Sequence, residues 1–302
     1  MIKLEDKQML SDQELSEKAD LSGDTFLNEL WYAIRKNKMA MAGGIVIILL
    51  ILIALFASYI SPYDPYHVDL DMQLQKPSAE HWLGTDEFGR DLLTRIMFGT
   101  RISLAIGLIP TILSLFIGTI LGMVSGYYGK RTDFIIMRIA DVVLAFPELL
   151  LAMVIMYTLG ANILNIFIAL SLVRWARVAR VVRAQTMSIK EKEYVEASRA
   201  IGVKNWIIMF RHILPNCLSS LIVLFTLDIP NAILSEASLS FLGIGAQPPA
   251  ASWGLMISRG KEYLFSAPWV AISPGIAILL IVLAFNYLGD GLRDALDPYM
   301  KQ

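Results

Sequence analysis

Apolar residues along this chain fill long uninterrupted blocks, with polar residues gathered between them. Residues 39–60 carry no charge and are rich in Ile and Leu. That block ends at Ser61-Pro62-Tyr63-Asp64-Pro65, where two prolines stop a helix. A second block covers 102–125 and closes at Gly126-Tyr127-Tyr128-Gly129. A third covers 134–159 with Pro147 inside, and a fourth, 163–173, is short unless it extends into the arginine-bearing stretch that follows. A fifth lies at 213–234 and a sixth at 269–288. Crossing a bilayer takes about 20 apolar residues of helix, and in lipid each backbone amide must be satisfied within its own segment. The pattern therefore predicts an all-α integral membrane protein with six transmembrane helices and both termini on one side.

Basic residues assign that side. Arg35, Lys36 and Lys38 precede the first block, and Lys130 and Arg131 lie between the second and third. Arg174, Arg177, Arg180, Arg183, Lys190, Lys192, Arg199, Lys204 and Arg211 lie between the fourth and fifth, and Arg293 and Lys301 follow the sixth. The opposite loops are longer in total yet hold only Lys76, Arg90, Arg95, Arg101, Arg259 and Lys261. Both termini are expected in the cytoplasm. Phe26, Leu27, Leu30, Trp31 and Ile34 share one helical face. Residues 25–38 thus read as an amphipathic helix on the inner membrane surface, or alternatively one packed on cytosolic protein. Residues 1–24, with Glu5, Asp6, Asp12, Glu14, Glu17, Asp20 and Asp24, read as a solvated acidic tail rather than a secretory leader.

Composition strengthens this picture: 56% of the 302 residues are hydrophobic and 18% charged, where soluble domains carry about 25% charged residues. The single cysteine, Cys217, excludes an intrachain disulfide. The G-x-x-x-x-G-K-[ST] phosphate loop does not occur, so ATP is not bound in that way. His67, His81 and His212 are scattered and read as structural side chains rather than metal ligands. No Ser/His/Asp or Cys/His grouping suggests a membrane hydrolase.

The loop between the fourth and fifth blocks carries the most specific chemistry. Glu191 to Ile201 holds good helix formers, with Tyr194, Val195, Ser198 and Ile201 on one side, and Gly202 can take the positive φ that ends a helix. Asn205 is placed to cap a second helix starting at Trp206 and running toward Pro215. Such a protruding helix suits docking into a groove on a cytosolic partner. Outside the membrane on the other face, Thr85 is placed to cap a helix starting at Asp86 that leads into the second span.

Ionisable residues also fall inside the apolar blocks. Arg138 and Asp141 are spaced to neutralise each other. Glu148 follows Pro147, Asp228 lies two residues before Pro230, and Glu236 lies just beyond the fifth block. Charges at such depth face protein or water, so Pro147, Glu148, Asp228 and Glu236 are candidates either for lining a translocation path or for locking helices together.

Glu196-Ala197-Ser198, then Gly202, then Leu214-Pro215 resemble the EAA loop of bacterial ABC importer permeases. Ser198 stands where that family has Ala, and His212 where it usually has a hydrophobic residue. His81-Trp82-Leu83-Gly84-Thr85-Asp86-Glu87-Phe88-Gly89-Arg90-Asp91, Leu239-Ser240-Phe241-Leu242-Gly243-Ile244-Gly245, and the run from Asn286 to Pro298 look like the dipeptide/oligopeptide/nickel branch, C-type subunit. The resemblance covers about Arg35 to Pro298. It implies the type I importer permease (MetI-like) fold and alternating access. It also implies a second homologous permease, two cytosolic ATPase subunits carrying ATP and Mg, and an external substrate-binding protein. Tyr194, Glu196, Ala197, Ser198, Gly202, Leu214 and Pro215 then couple the chain to the ATPase. The expected organisation is an acidic tail 1–24, an interfacial helix 25–38, a first span 39–60, an outer segment 61–101 and a membrane domain 102–302 with a cytoplasmic coupling loop 174–211. The expected cargo is an oligo- or dipeptide; a nickel or metal-chelate importer, or an ion-coupled secondary transporter using Asp228 or Glu148, are the alternatives.

Overall fold

A computed structural model of the protein describes residues 34–35 and 37–296. The acidic tail, most of the interfacial helix and the closing Asp297-Pro298 lie outside the described residues. Within them the regular structure is helical, with a lone antiparallel bridge between Thr85 and Asp91.

Helix α1, Lys38–Ile60, starts where the Asn37 side chain accepts from the Met39 and Ala40 amides. It stops before the expected pair of prolines. Helix α2, Leu92–Tyr128, runs without a break through the expected second span and the stretch before it. Its start corrects one expectation. Asp91, not Thr85, caps the helix, accepting from the Thr94 amide. Thr85 instead donates to the Met72 carbonyl and accepts from the Gln75 amide, tying down the outer loop. Asp86 accepts from the Phe88 and Arg90 amides and, with the Gly89 amide donating to its carbonyl, closes a turn there in place of the expected helix.

The third span is not one helix. Helices α3, Lys130–Leu144, and α4, Glu148–Leu159, meet at a bend of 91°. Pro147 occupies the cap position of α4 with extended ψ, because a proline ring cannot continue the preceding helix and has no amide to give it. The fourth element takes the longer of its two readings: helix α5 spans Ile163–Ile189, through all four arginines from Arg174 to Arg183. It packs along α2 through Gly118, Gly122 and Gly126. A Cβ at Gly122 would stand 2.6 Å from the Ala179 carbonyl oxygen, so only small residues at this spacing permit the contact.

A short helix α6, Glu193–Ala200, precedes α7, Asn205–Phe241. Helix α7 is longer at both ends than the expected fifth span. Its Met209–Ile213 turn is π-helical, with the Leu214 amide reaching Met209 O. Pro215, lacking an amide, follows this wider turn without breaking the helix. Asn205 does not cap it; Lys204 takes the cap position, and the Asn205 side chain accepts from the Tyr127 hydroxyl at 3.0 Å. Helices α8, Trp253–Gly260, and α9, Trp269–Leu296, complete the chain. Trp253 is wholly buried, its indole donating to Ile96 O on α2. Helices α1, α2, α7 and α9 are each long and apolar enough to cross a membrane, and the bent pair α3–α4 is a fifth candidate. Their outward faces are apolar, with Ile48, Leu55, Phe116 and Val154 exposed. That is the inverse of a soluble surface.

Candidate functional site

Two places in the fold carry groups that packing alone does not explain. The first is α6. Val195 anchors this helix, fully buried beside Met123, Val182, Ile208 and Ile213. Its expected apolar side does not hold as a unit: Tyr194 is exposed, and Ile201 is 81% exposed. Helix α6 has only eight residues, and Val195 is the one among them that is buried, while Ile201 falls just past its end. Glu196 and Ala197 are exposed, and Ser198 is half-buried with its hydroxyl donating to Tyr194 O. Gly202 has φ +81°, its amide donating to Arg199 O and the Val203 amide to Ser198 O. This is the left-handed termination expected from the sequence. Leu214 and Pro215 sit further along on α7, Leu214 against the Val195 cluster and Pro215 exposed. Trp206 and Phe210 extend the exposed apolar surface of this end.

The second place lies near the middle of α5 and in the last third of α7, at the break between α3 and α4. A cavity of about 390 Å³ is lined there by Glu148, Arg174, Arg177, Asp228, Asn231 and Ser235, with apolar residues around them. Arg174 is almost wholly buried. It donates to Glu148 Oε1 at 2.8 and 2.6 Å, to Asp228 O at 3.0 Å and to Ser235 Oγ at 2.9 Å. Arg177 stands 3.7 Å from Asp228 Oδ1. One turn and two turns on, Arg180 pairs with Asp141 at 2.8 Å and Arg183 with both oxygens of Asp133 at 2.5 and 2.6 Å. The expected Arg138–Asp141 pair is loose, 3.9 Å apart and exposed, because Asp141 turns to Arg180 instead.

Of the four ionisable or proline candidates, Pro147, Glu148 and Asp228 converge on this cavity, Pro147 by placing the turn. Glu236 does not. It is buried elsewhere, accepting from Ser240 and Ser252 and joining α7 to the start of α8. Arg174 and Arg177 escaped the sequence reading because they were counted with a cytoplasmic loop. Their three-residue spacing with Arg180 and Arg183, next to an apolar run, was the available signal.

On the outer side, Asp86 holds Arg90 at 2.7 Å and lies 3.4 Å from Arg95, which also donates to Pro65 O. Burial, and then the neighbouring Asp86 charge, push the Glu87 carboxyl above its ordinary range. His81 is structural: its Nδ1 lies 3.0 Å from Asp91 Oδ1. Among the described residues no three His, Cys, Asp or Glu side chains gather as a metal site.

Membrane-length helices around a charged cavity, with an exposed helix at one end, define an integral membrane protein. The chain belongs to the family of binding-protein-dependent transport system inner membrane components, whose profile matches residues 118–302. Residues 25–77 match the N-terminal TM domain of oligopeptide transport permease C. The chain is 46% identical over 283 residues to the glutathione transport system permease protein GsiD of Pectobacterium atrosepticum, covering 93% of this chain and 94% of the relative. It is 47% identical over 273 residues to the dipeptide transport system permease protein DppC of Alkalihalophilus pseudofirmus, covering 90% of each. The GsiD of Escherichia coli is 46% identical over 275 residues, 91% of each. The protein is thus a transport subunit of a bacterial cell membrane, multi-pass and not itself an enzyme. As a member of this family it works with an ATPase and a binding protein.

Proposed function

We propose that this chain is one of two homologous permeases that together form the pathway of an ATP-driven peptide importer. The names of its relatives, a glutathione and a dipeptide permease, support small peptides as the cargo. In this reading the chain crosses the membrane six times, through α1, α2, the bent pair α3–α4, α5, α7 and α9, with both termini in the cytoplasm. Helix α5 qualifies as a span despite its arginines, because each from Arg174 to Arg183 meets a carboxylate from another element. Two ATPase subunits hold the ATP and Mg, and an external binding protein delivers the peptide.

The observation that carries the proposal is α6 itself. It hangs on one buried residue, Val195, ends at a left-handed Gly202, and presents Tyr194, Glu196, Ala197 and Ile201 outward. Covering an exposed apolar side chain of that size is worth about 1.5–3 kcal/mol, so an ATPase groove gains by enclosing it. Force on α6 passes through the Gly202 turn into α7, whose Leu214 and Pro215 stand at the base of the span.

The test is Gly202→Val. No atom lies within 4 Å of a Cβ there, so the variant strains only the backbone, by about 1–3 kcal/mol. The expected result is loss of uptake in proteoliposomes, with membrane insertion and co-purification of the ATPase subunits retained. Wild-type uptake by this variant refutes the coupling role. Recovery of an active uptake system free of any ATPase refutes the importer itself.

A further inference from the structure

The charged groups of the cavity at the α3–α4 break are unequally satisfied. Arg174 is spent: its donors go to Glu148, Asp228 O and Ser235. Arg177 is not. Among the described residues its guanidinium makes no hydrogen bond, only the 3.7 Å contact with Asp228, and it is 64% exposed. The Asp228 carboxylate is only 8% exposed, yet its nearest charged partner among the described residues is this loosely placed Arg177. Glu148 gives one oxygen to Arg174 and Ser235, and the other makes no hydrogen bond among the described residues.

We infer that this cavity is a binding subsite for a zwitterion, taking a free carboxylate on Arg177 and a free ammonium on Asp228 and the open oxygen of Glu148. The inference rests on the peptide-importer reading and names which part of the peptide the permease senses. Three arguments support it. Two arginines and two carboxylates leave the cavity neutral overall, so a ligand of net charge would leave one group uncompensated. Asp228 holds a buried charge with no charged partner closer than Arg177 at 3.7 Å; such a charge is costly, and a ligand bringing both signs gives it a direct partner while engaging the exposed Arg177. The volume, about 390 Å³, falls in the range of about 300–1,000 Å³ that suits small-molecule sites. The remaining wall, including Val143, Leu144, Phe146 and Leu234, is apolar and can accept varied side chains without selecting among them. Selection by termini, with tolerance of side chains, is what one site needs to pass many short peptides.

The test uses the whole transporter in proteoliposomes with its binding protein, and one peptide in three forms: free, C-terminally amidated and N-acetylated. Affinity of the binding protein for each form is measured separately, and uptake is compared at saturation of the binding protein. The wild type is expected to take up the free form about tenfold faster than either blocked form, the scale of one charge-assisted contact. In Arg177→Gln the preference over the amide falls toward one while the preference over the acetylated form persists. In Asp228→Asn the reverse holds. Arg177→Lys, which keeps the charge, restores part of the preference for the carboxylate and controls for folding. Equal uptake of all three forms by the wild type overturns the inference while leaving the importer reading intact, and so do variants whose two preferences change together or not at all. A wild-type complex that imports none of the three forms overturns the peptide reading itself.

Discussion

Two glycines do different work, and substitution separates them. At Gly122 the constraint is space, since a side chain would run into the Ala179 carbonyl and Val182 across the α2–α5 contact. Gly122→Leu is expected to separate these helices and destabilise the protein by at least the 1–3 kcal/mol typical of overpacking, read as a lower Tm in detergent. At Gly202 the constraint is the backbone: the strain of about 1–3 kcal/mol is confined to an exposed turn with no neighbour to clash against, and transport is lost while membrane insertion is kept. Glu87 gives a pH-dependent case. Its Oε1 is buried without a hydrogen bond among the described residues, and its carboxyl titrates above the ordinary value. The folded state therefore holds that proton at a pH where the unfolded chain has released it, so stability falls as pH rises through the ordinary carboxylate range to the folded value. Glu87→Gln is expected to flatten that fall, giving a higher Tm than wild type at pH 7 and a smaller difference at pH 4; an unchanged Tm–pH profile counts against the assignment.

Arginines decide what helix α5 is. Hydropathy stops the fourth apolar block at Val173, but the helix continues to Ile189 because Glu148, Asp228, Asp141 and Asp133 receive its guanidinium groups one after another. Arg174 also joins α4 and α7 to α5, so it braces the 91° break that Pro147 opens. Removing one partner of a buried pair costs about 3–5 kcal/mol. Here the penalty should be smaller, because the Glu148 side chain is 44% exposed and partly solvated. Arg174→Gln should lower Tm and raise proteolysis at the 145–147 junction; Tm and cleavage unchanged from wild type would show that the brace carries no strain. Helix α6 was legible in advance, from its helix formers and from Gly202. That Val195 alone would pack inward, with Tyr194 and Ile201 left exposed and Tyr194 set against the His212 ring, was not, because it depends on which residues of α2, α5 and α7 stand opposite.

The whole molecule is incomplete by its own chemistry. Arg138, Arg177 and Arg180 are more than half exposed, yet they belong to helices whose neighbours are built for lipid. Each meets a carboxylate on one side only; a guanidinium facing hydrocarbon on the other is costly, so this face needs water or a second protein, as a paired permease would supply. Co-expression with the homologous permease is expected to raise the yield of monodisperse protein and its apparent Tm, since a partner that binds only the folded state stabilises it by mass action. No change in either quantity would count against pairing on this face.

Features set by local chemistry were readable from the chain alone: apolar blocks of bilayer length, the proline at the broken third element, the glycine that ends α6, and the motifs that carry the family. These follow from single residues or short windows, where hydrophobic transfer and backbone sterics act without distant help. Packing in three dimensions was needed to show that Asp91 rather than Thr85 starts α2, that Asp141 turns to Arg180, and that Glu148, Arg174, Arg177 and Asp228 surround one cavity while Glu236 lies apart. Each of these is a choice among several chemically suitable partners, and electrostatic energy falls with distance in space, which spacing along the chain does not report.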